Sequence, residues 1–524
     1  MSAIGHLLNP RSIAVIGASG DPEKLTGRPL EYLRKYGFRG SIFPVNPRLP
    51  AIAGLTCYPD IAALPEAPDL GLVLVGSERA EAAVRALAEK GAAAAIVLAG
   101  GYAETGTEGA QRQAALKAAA GSMRLLGPNT IGLVNLTDRV ILSASGALEL
   151  GDLPAGRISV VSQSGGILGA LLSRAADRGI GFAKLVSTGN EADLDTADLL
   201  EALTEDESTA VLVLYLEGLR RPEAFRRAAG RAAALGKPIV AFKVGRSEAG
   251  ARSAISHTGT LAGADQLYGA LFKQLGIIRA ETFDALIDIP AALAAGHRTR
   301  GRRVAILTST GGAGTLLADS CGLKGLELPP PDAETARQLA ALMEGDEASS
   351  RRNPIDVTLA GLRPGLLRTA IAALLESPSY DALIVVAGAS AIAQPNLAAD
   401  AALACRAASD KPLIAFVSPH APQVVRRFNA RGIPATASPE TCAAVVDALW
   451  RPLSGPSPQP QPIITGDVPL PASSRPLNET ESKALFAHFG IACVREIAAP
   501  DAAEAEAAAR RLGGKVALKL LSRG

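Results

Sequence analysis

Short apolar runs alternate along the chain with longer segments of helical spacing. Residues Ser12–Ile16, Ser41–Val45, 157–161, Val211–Leu216, 238–244, 303–307, 383–386 and Leu413–Val417 are dominated by aliphatic side chains. Segments such as 167–176 and 221–235 place their apolar residues at helical intervals. A continuous apolar run suits a strand buried on both faces, and a helix between two such strands makes a βαβ unit of parallel sheet. The pattern therefore predicts an α/β fold. A strand, a Gly/Ser-rich turn and a helix follow one another near residues 17, 164 and 311. That recurrence predicts three related α/β domains in series, not a short-period solenoid. Ligands of such sheets bind beyond the carboxyl ends of the strands, so the chemistry is sought in those turns.

The stretch 211–263 is the most informative. Its first strand ends in Glu217-Gly218, its second in Gly245-Arg246-Ser247, and a loop with Ser256-His257-Thr258-Gly259 follows. A neutral imidazole nitrogen is nucleophilic near pH 7 and can accept a phosphoryl group. Ser256, Thr258 and Thr260 can hydrogen-bond around it, and Glu217 is placed to fix its tautomer. The same spacing also fits a surface-loop histidine beside a strand-end glutamate. Upstream, Ser162-Gln163-Ser164-Gly165-Gly166 opens a helix. Ser164 is positioned to cap it, and Gly165 and Gly166 allow an anion to approach, although an ordinary N-cap explains the pattern too.

Near the N-terminus, Gly17-Ala18-Ser19-Gly20 links a strand to a helix, with Lys24 and Gly27 in between. Such a turn lets backbone N–H groups approach a phosphate. The next strand ends in Asn46-Pro47-Arg48, where an NAD site would place an acidic residue for the ribose. Arg48 suits a phosphate, which leaves NADP or coenzyme A. Asp193 and Asp195 lack further ligands and are read as caps of the following helix, so no metal site is expected. Asp356, after Asn353-Pro354, suits a turn or a substrate contact. His6, His297, His420 and His488 carry no partner pattern.

Composition narrows the class. A chain of 524 residues has room for three or four domains, and a net charge of +2 gives no nucleic-acid surface. Hydrophobic residues are 48% but aromatics only 4%, the signature of aliphatic strands under Ala-rich helices. Five scattered cysteines without CxxC spacing argue against a zinc site or disulfide framework and fit the cytoplasm. No secretory signal pattern or apolar run of membrane length is present, so no membrane partner is expected.

Several motifs together resemble the NDP-forming acyl-CoA synthetases, relatives of succinyl-CoA synthetase. They are Tyr215-Leu216-Glu217-Gly218, the KVGRS run at 243–247, SHTGTLAG at 256–263, SQSGG at 162–166 and TGNEAD at 188–193. IGAS at 16–19, PVNPR at 44–48, GGYAE at 100–104 and GPNTIGLVN at 127–135 resemble the family's CoA-binding domain. Two words depart mildly: Thr130-Ile131 replaces the usual Cys-Leu, and Gly101-Tyr102-Ala103-Glu104 replaces GFAE. Asn353-Pro354-Ile355-Asp356 resembles a motif of the third domain.

The resemblance implies three consecutive Rossmann/flavodoxin-like parallel-sheet domains. Residues 1–137 would bind CoA, 150–293 would carry the phosphohistidine loop, and 300–450 would form a second succinyl-CoA-synthetase-like domain. A Pro-rich linker, 451–476, would lead to an incomplete ATP-grasp lobe at 477–524. In that lobe, residues 493–496 and 515–521 read as strands and Lys519 as a nucleotide contact. His257 would be phosphorylated, Glu217 would support it, and Ser164, Gly165, Gly166, Thr258 and Gly259 would bind phosphate. Gly17, Ala18, Ser19, Lys24, Asn46, Pro47, Arg48, Gly101, Tyr102, Glu104 and Asn129 would bind CoA.

The implied reaction joins a small carboxylic acid to CoA with ATP, giving ADP and phosphate. Mg²⁺ would be held by the remainder of the ATP-grasp domain, in the missing C-terminal half or a separate subunit, with a homo- or hetero-oligomer expected. The tail is expected to be mobile or loosely docked. Alternatives are a CoA-binding regulatory module without turnover, the CoA-ligase-like part of a protein-lysine acetyltransferase, and an NADP oxidoreductase.

Overall fold

The computed structural model describes residues 2–151, 153–250, 252, 265–343, 347–358, 363–407, 409–453 and 477–521. Ser256, His257, Thr258 and Gly259 lie outside the described residues, as does most of the Pro-rich stretch. The chain divides into two compact units, Met1–Ser457 and Pro458–Gly524.

Among the described residues the first unit contains three large sheets built on one plan, parallel apart from the β8–β9 edge of the second. In chain order the strands are β1 (Ser12–Ile16), β2 (Ser41–Val45), β3 (Ala51–Ile52), β4 (Leu55–Thr56), β5 (Leu70–Val73), β6 (Ala94–Val97), β7 (Arg124–Leu126), β8 (Gly132–Asn135), β9 (Val140–Ser143) and β10 (Ala155–Ser162). They continue as β11 (Phe182–Ser187), β12 (Val211–Leu216), β13 (Ile239–Lys243), β14 (Ile278–Arg279), β15 (Val304–Thr308), β16 (Ile355–Asp356), β17 (Ala382–Ala387), β18 (Leu413–Val417) and β19 (Ala435–Thr436). The sheet orders are β2-β1-β5-β6-β7, then β14-β13-β12-β10-β11-β8-β9, then β16-β15-β17-β18-β19; β3 and β4 form a small hairpin. In each sheet the chain steps to one side of its first parallel strand, then returns to build outward on the other side. The switch points fall between β1 and β5, β10 and β12, and β15 and β17. They hold the three glycine- or hydroxyl-rich turns.

The strands form because both faces are covered. β1, β12, β15 and β18 are buried at every position. Helix Pro222–Ala234 buries Phe225, Ala228, Ala229 and Ala232 in one cluster with Leu212, Leu214 and Leu216. Burial of Phe225 alone contributes about 2–3 kcal/mol. Small alanines let such helices lie close to the sheet, as their abundance predicts.

One stretch crosses the expected boundary. β8 lies within residues 1–137 but is hydrogen-bonded antiparallel to β11 of the second sheet, with Leu133 opposite Val186, and β9 pairs outside it. Gly132 makes this hairpin possible. Its φ is +96°, and a Cβ there would sit 1.9 Å from the Leu142 carbonyl oxygen.

Among the described residues the second unit has two helices, Glu479–His488 and Ala502–Leu512. Asn478 and Glu481 form a reciprocal capping box on the first, and Asp501 caps the second. The strands expected at 493–496 and 515–521 are not formed: neither segment has a ladder partner among the described residues. A strand exists only when another chain segment takes its backbone donors and acceptors. Val494, Leu518 and Leu520 are correspondingly exposed. Lys519 makes a surface pair with Glu479 at 3.1 Å. Among the described residues no helix is long and apolar enough to cross a membrane.

Candidate functional site

The second switch point is built around the turn that leaves β10. The Ser162 hydroxyl donates to the Ser164 carbonyl at 2.7 Å and accepts from the Ser164 amide at 3.2 Å. Helix Gly165–Asp177 begins immediately after. Ser164 occupies the N-cap position in extended conformation, but its hydroxyl makes no cap bond. This corrects the expected capping role. Ser162 already holds the turn, so Ser164 leaves the first helical N–H groups to other acceptors. A Cβ on Gly166 would meet nothing within 4 Å.

The flanking strand β11 pairs Ser187 with Ser162, and the Thr188 amide donates to the Ser162 carbonyl at 2.9 Å. The Ser187 and Thr188 side chains are fully buried, and among the described residues their hydroxyls have no hydrogen-bond partner. Buried hydroxyls of this kind are ordinarily satisfied by a protein group, a water or a ligand. With the uncapped helix start, they suit an anion.

Across the switch point stands Glu217, buried at the end of β12. Gln163 faces it. The Gln163 side-chain oxygen accepts from the Glu217 amide at 2.5 Å and the Gly218 amide at 3.0 Å, and its Nε2 donates to the Gly218 carbonyl at 2.9 Å. A second carboxylate, Glu191, lines the same cleft with Gly189, Asn190 and Arg220. Glu191 has a left-handed backbone, φ +54°. Its Oε1 accepts from the Thr196 amide at 3.0 Å and hydroxyl at 2.7 Å, and Arg220 Nε lies 3.6 Å from Oε2. Burial pushes the Glu191 carboxyl up, against the opposing bonds from Thr196 and Gln163 and the charge of Arg220. On β13, Lys243 is buried with its Nζ 4.6 Å from the centre of the Tyr268 ring. Burial holds its ammonium below the usual lysine range.

In the first sheet, the turn after β1 requires glycine at position 17. Its φ is +82°, and a Cβ would lie 2.8 Å from Val75 Cγ1. Asn46 Nδ2 donates to the Ala18 carbonyl at 2.9 Å, while Asn46 Oδ1 accepts from the Arg48 amide at 2.9 Å. Asn46 thus braces the turn that holds Gly17 and Ser19, beside exposed Pro47 and Arg48. Ser19 Oγ accepts from the Asp21 amide, and Lys24 pairs loosely with Asp21 at 3.5 Å. The Gly101 amide donates to Glu104 Oε1 at 2.6 Å. Tyr102 is completely buried, so what it offers this surface is backbone. Burial pushes the Glu104 carboxyl up, but the bonds from Asn190 and the Gly101 amide outweigh it and hold the group below its ordinary range.

Asn190 joins the two regions. It donates to the Glu104 carboxylate and to Gln113 Oε1, the latter at 3.0 Å, and accepts from Asn129 Nδ2 at 3.2 Å. The motif at 188–193 therefore presents Asn190 to the first sheet's ligand surface and Glu191 to the second's. Sequence reasoning named this motif and the SQSGG turn but assigned no role to Gln163, Asn190 or Glu191. Its reading of Asp195 agrees with the structure, where Asp195 caps helix Thr196–Glu205. Asp193 does not cap; it takes the Arg124 guanidinium at 2.7 Å and the Leu125 amide at 3.0 Å. Among the described residues no three His, Cys, Asp or Glu side chains converge as a metal site.

At the third switch point, Leu307, Thr308, Ser309, Val385, Gly388 and Leu397 line a mainly apolar cavity. Asp356 lies at the end of β16, beside the start of the helix that follows β15. A Cβ on Gly311 would be 3.2 Å from Asp356 Oδ2.

Residues 155–293 match the succinyl-CoA ligase-like flavodoxin domain, 11–135 a CoA-binding domain, and 470–524 an ATP-grasp domain. The chain is 32% identical over 457 residues to the alpha subunit of ADP-forming acetate–CoA ligase II from Pyrococcus furiosus, covering 85% of this chain and 97% of that one. It is 37% identical over 354 residues to ADP-forming acetate–CoA ligase I of Archaeoglobus fulgidus, covering 67% of this chain and 50% of that longer protein. Among solved structures, the dinucleotide-forming acetyl-coenzyme A synthetase 1 of Ca. Korarchaeum cryptofilum, in complex with phosphate and ADP, superposes with a TM-score of 0.76 at 32% identity, over 85% of this chain and 96% of that one.

Proposed function

The chain belongs to the ADP-forming acyl-CoA synthetases, and from that premise we propose that it binds CoA and carries the phosphoryl group between nucleotide and carboxylic acid. The observation that carries this reading is the convergence at the second switch point. An uncapped helix start and the buried Ser187 and Thr188 hydroxyls stand opposite a buried strand-end carboxylate.

In this reading His257 accepts a phosphoryl group through one ring nitrogen, while Glu217 accepts the N–H of the other and stabilises the charge that develops. The helix N–H groups after Ser164, together with Thr258 and Gly259, balance the phosphate. The acid's carboxylate oxygen then attacks phosphorus, giving an acyl phosphate and restoring the imidazole. The CoA thiolate attacks the acyl carbon and phosphate leaves. With the first transfer, in which ADP leaves the phosphoryl group on His257, three displacements replace one direct condensation.

The first sheet fits CoA as substrate. Gly17 brings backbone close to a phosphate, Asn46 holds the turn, and Lys24 and Arg48 are exposed cations beside it. The match of residues 470–524 to an ATP-grasp domain supports ATP use, with Lys519 as a nucleotide contact. ATP and Mg²⁺ are held with further ATP-grasp residues, of the protein or of a partner subunit. The substrate is a small carboxylic acid, and the protein acts in the cytoplasm.

Acetyl phosphate offered to the full chain should leave an acid-labile, base-stable phosphoryl label. His257→Ala should abolish it, and Glu217→Gln should slow its formation by roughly tenfold or more. A label that persists in His257→Ala overturns the assignment.

A further inference from the structure

The β10–β12 ladder ends with Ser162 opposite Tyr215, and the Gln163 amide then donates to the Tyr215 carbonyl at 3.2 Å. Beyond that point no β10 backbone continues alongside Glu217 and Gly218, because the chain turns into helix Gly165–Asp177. The Gln163 side chain takes over. One oxygen receives both amides, one N–H meets the Gly218 carbonyl, and the side chain also bonds the Glu191 carboxylate. A primary amide extends the ladder past the end of its strand.

We propose that Gln163 is a positioning residue for phosphoryl transfer, holding the end of β12 so that the Glu217 carboxylate is presented at a fixed place to the phosphoryl-carrying loop. This rests on the reading that Glu217 supports a phosphorylated His257. The chemistry of the position is narrow. It needs an acceptor and a donor side by side on one short planar group, which the primary amides of Asn and Gln provide without charge. Asn is one methylene too short to span from the turn. Neutrality matters because Glu217 and Glu191 face the position from two sides, with Arg220 beyond Glu191 and Lys243 near Glu217 on β13. A third carboxylate there would repel both acids and the Gly218 carbonyl. Leucine would leave three buried backbone groups without their partner.

The two substitutions separate positioning from general support. Gln163→Glu keeps the oxygen that accepts both amides and, when protonated, regains the donor to the Gly218 carbonyl. A carboxyl beside two others in a buried cleft titrates well above its ordinary value. Labelling by acetyl phosphate in Gln163→Glu should therefore be at least roughly tenfold slower than wild type at about pH 8 and should recover toward wild type near about pH 6. The KM for acetyl phosphate should stay unchanged. Gln163→Leu should be slow at every pH, and combined with Glu217→Gln no slower than Glu217→Gln alone. CoA titration and thermal unfolding verify that each variant is folded; if Gln163→Leu fails that check, the pH recovery of Gln163→Glu decides alone.

Wild-type labelling by Gln163→Glu at all pH values, or a loss that pH does not recover, overturns the proposal while leaving the Glu217 reading intact when Glu217→Gln is slow. Wild-type labelling by Glu217→Gln overturns that reading and the proposal with it.

Discussion

The helix starts after β10 and after β15 are made in the same way and differ in what faces them. In each, the last hydroxyl of the strand binds both the amide and the carbonyl of the residue two places on. Ser162 does so to Ser164, and Thr308 to Thr310 at 2.9 and 3.0 Å. In each, the N-cap hydroxyl makes no cap bond. The neighbouring strand then sets the contrast. β16 brings Asp356 to the start of helix Gly311–Leu323, whereas β11 brings Ser187 and Thr188 to the start of helix Gly165–Asp177. A carboxylate stands beside the positive end of helix Gly311–Leu323, while uncharged hydroxyls stand beside that of helix Gly165–Asp177. A third turn of this design, Thr436 to Ser438, shows the structural version: there Ser438 caps its own helix, accepting from the Thr441 amide at 3.1 Å.

The contrast can be broken most severely by copying the third-domain arrangement into the second. Gly166→Asp places a carboxylate at the helix start, and Gly166 has open space where the side chain would emerge. Phosphoryl labelling by acetyl phosphate should fall by about two orders of magnitude, with the melting temperature little changed. Labelling within threefold of wild type would show that this helix end does not meet the phosphate.

The converse change is milder. Asp356→Asn removes the carboxylate beside Gly311, so calorimetry should detect inorganic phosphate binding that His257→Ala in the same chain does not remove, tighter than in wild type by roughly tenfold. Unchanged phosphate binding would mean that Asp356 does not set the charge at that helix end.

The legibility of the chain follows from how local each decision is. β1, β12 and β18 coincide with the apolar runs residue for residue, because a strand buried on both faces writes itself as an unbroken run. The βαβ order and the switch-point turns follow from the same pattern. β8 was not legible as part of the second sheet, because its partner strand lies about fifty residues away and pairs antiparallel. Residues 493–496 and 515–521 have strand-like composition, but composition cannot supply the neighbouring strands they need. At the site, Glu217 and the SQSGG turn stand out as motif words, whereas the role of Gln163 depends on three backbone groups more than fifty positions away. Ser164 obeys the local rule for an N-cap and yet does not cap, since Ser162 is within reach first.

The smallest test compares the two serines. Ser438→Ala should cost about 1 kcal/mol of stability and leave labelling unchanged, as for an ordinary lost cap. Ser164→Ala should change stability by less than about 0.5 kcal/mol, because no cap bond is lost. Equal losses in chemical denaturation would show that Ser164 caps its helix in solution.

The β8–β9 hairpin makes the first two sheets poor units of exchange. Its polypeptide leaves the first sheet and closes the edge of the next one, while Tyr32 reaches Glu149 at 2.7 Å and Lys35 reaches the Leu148 carbonyl at 2.9 Å. Cutting the chain at the expected boundary, after residue 137, would leave β8 on one piece and β9 and β11 on the other, uncovering an apolar edge open to pairing with any other chain. A joint that leaves both sheets whole falls after the second sheet is complete, so the two sheets are exchanged together.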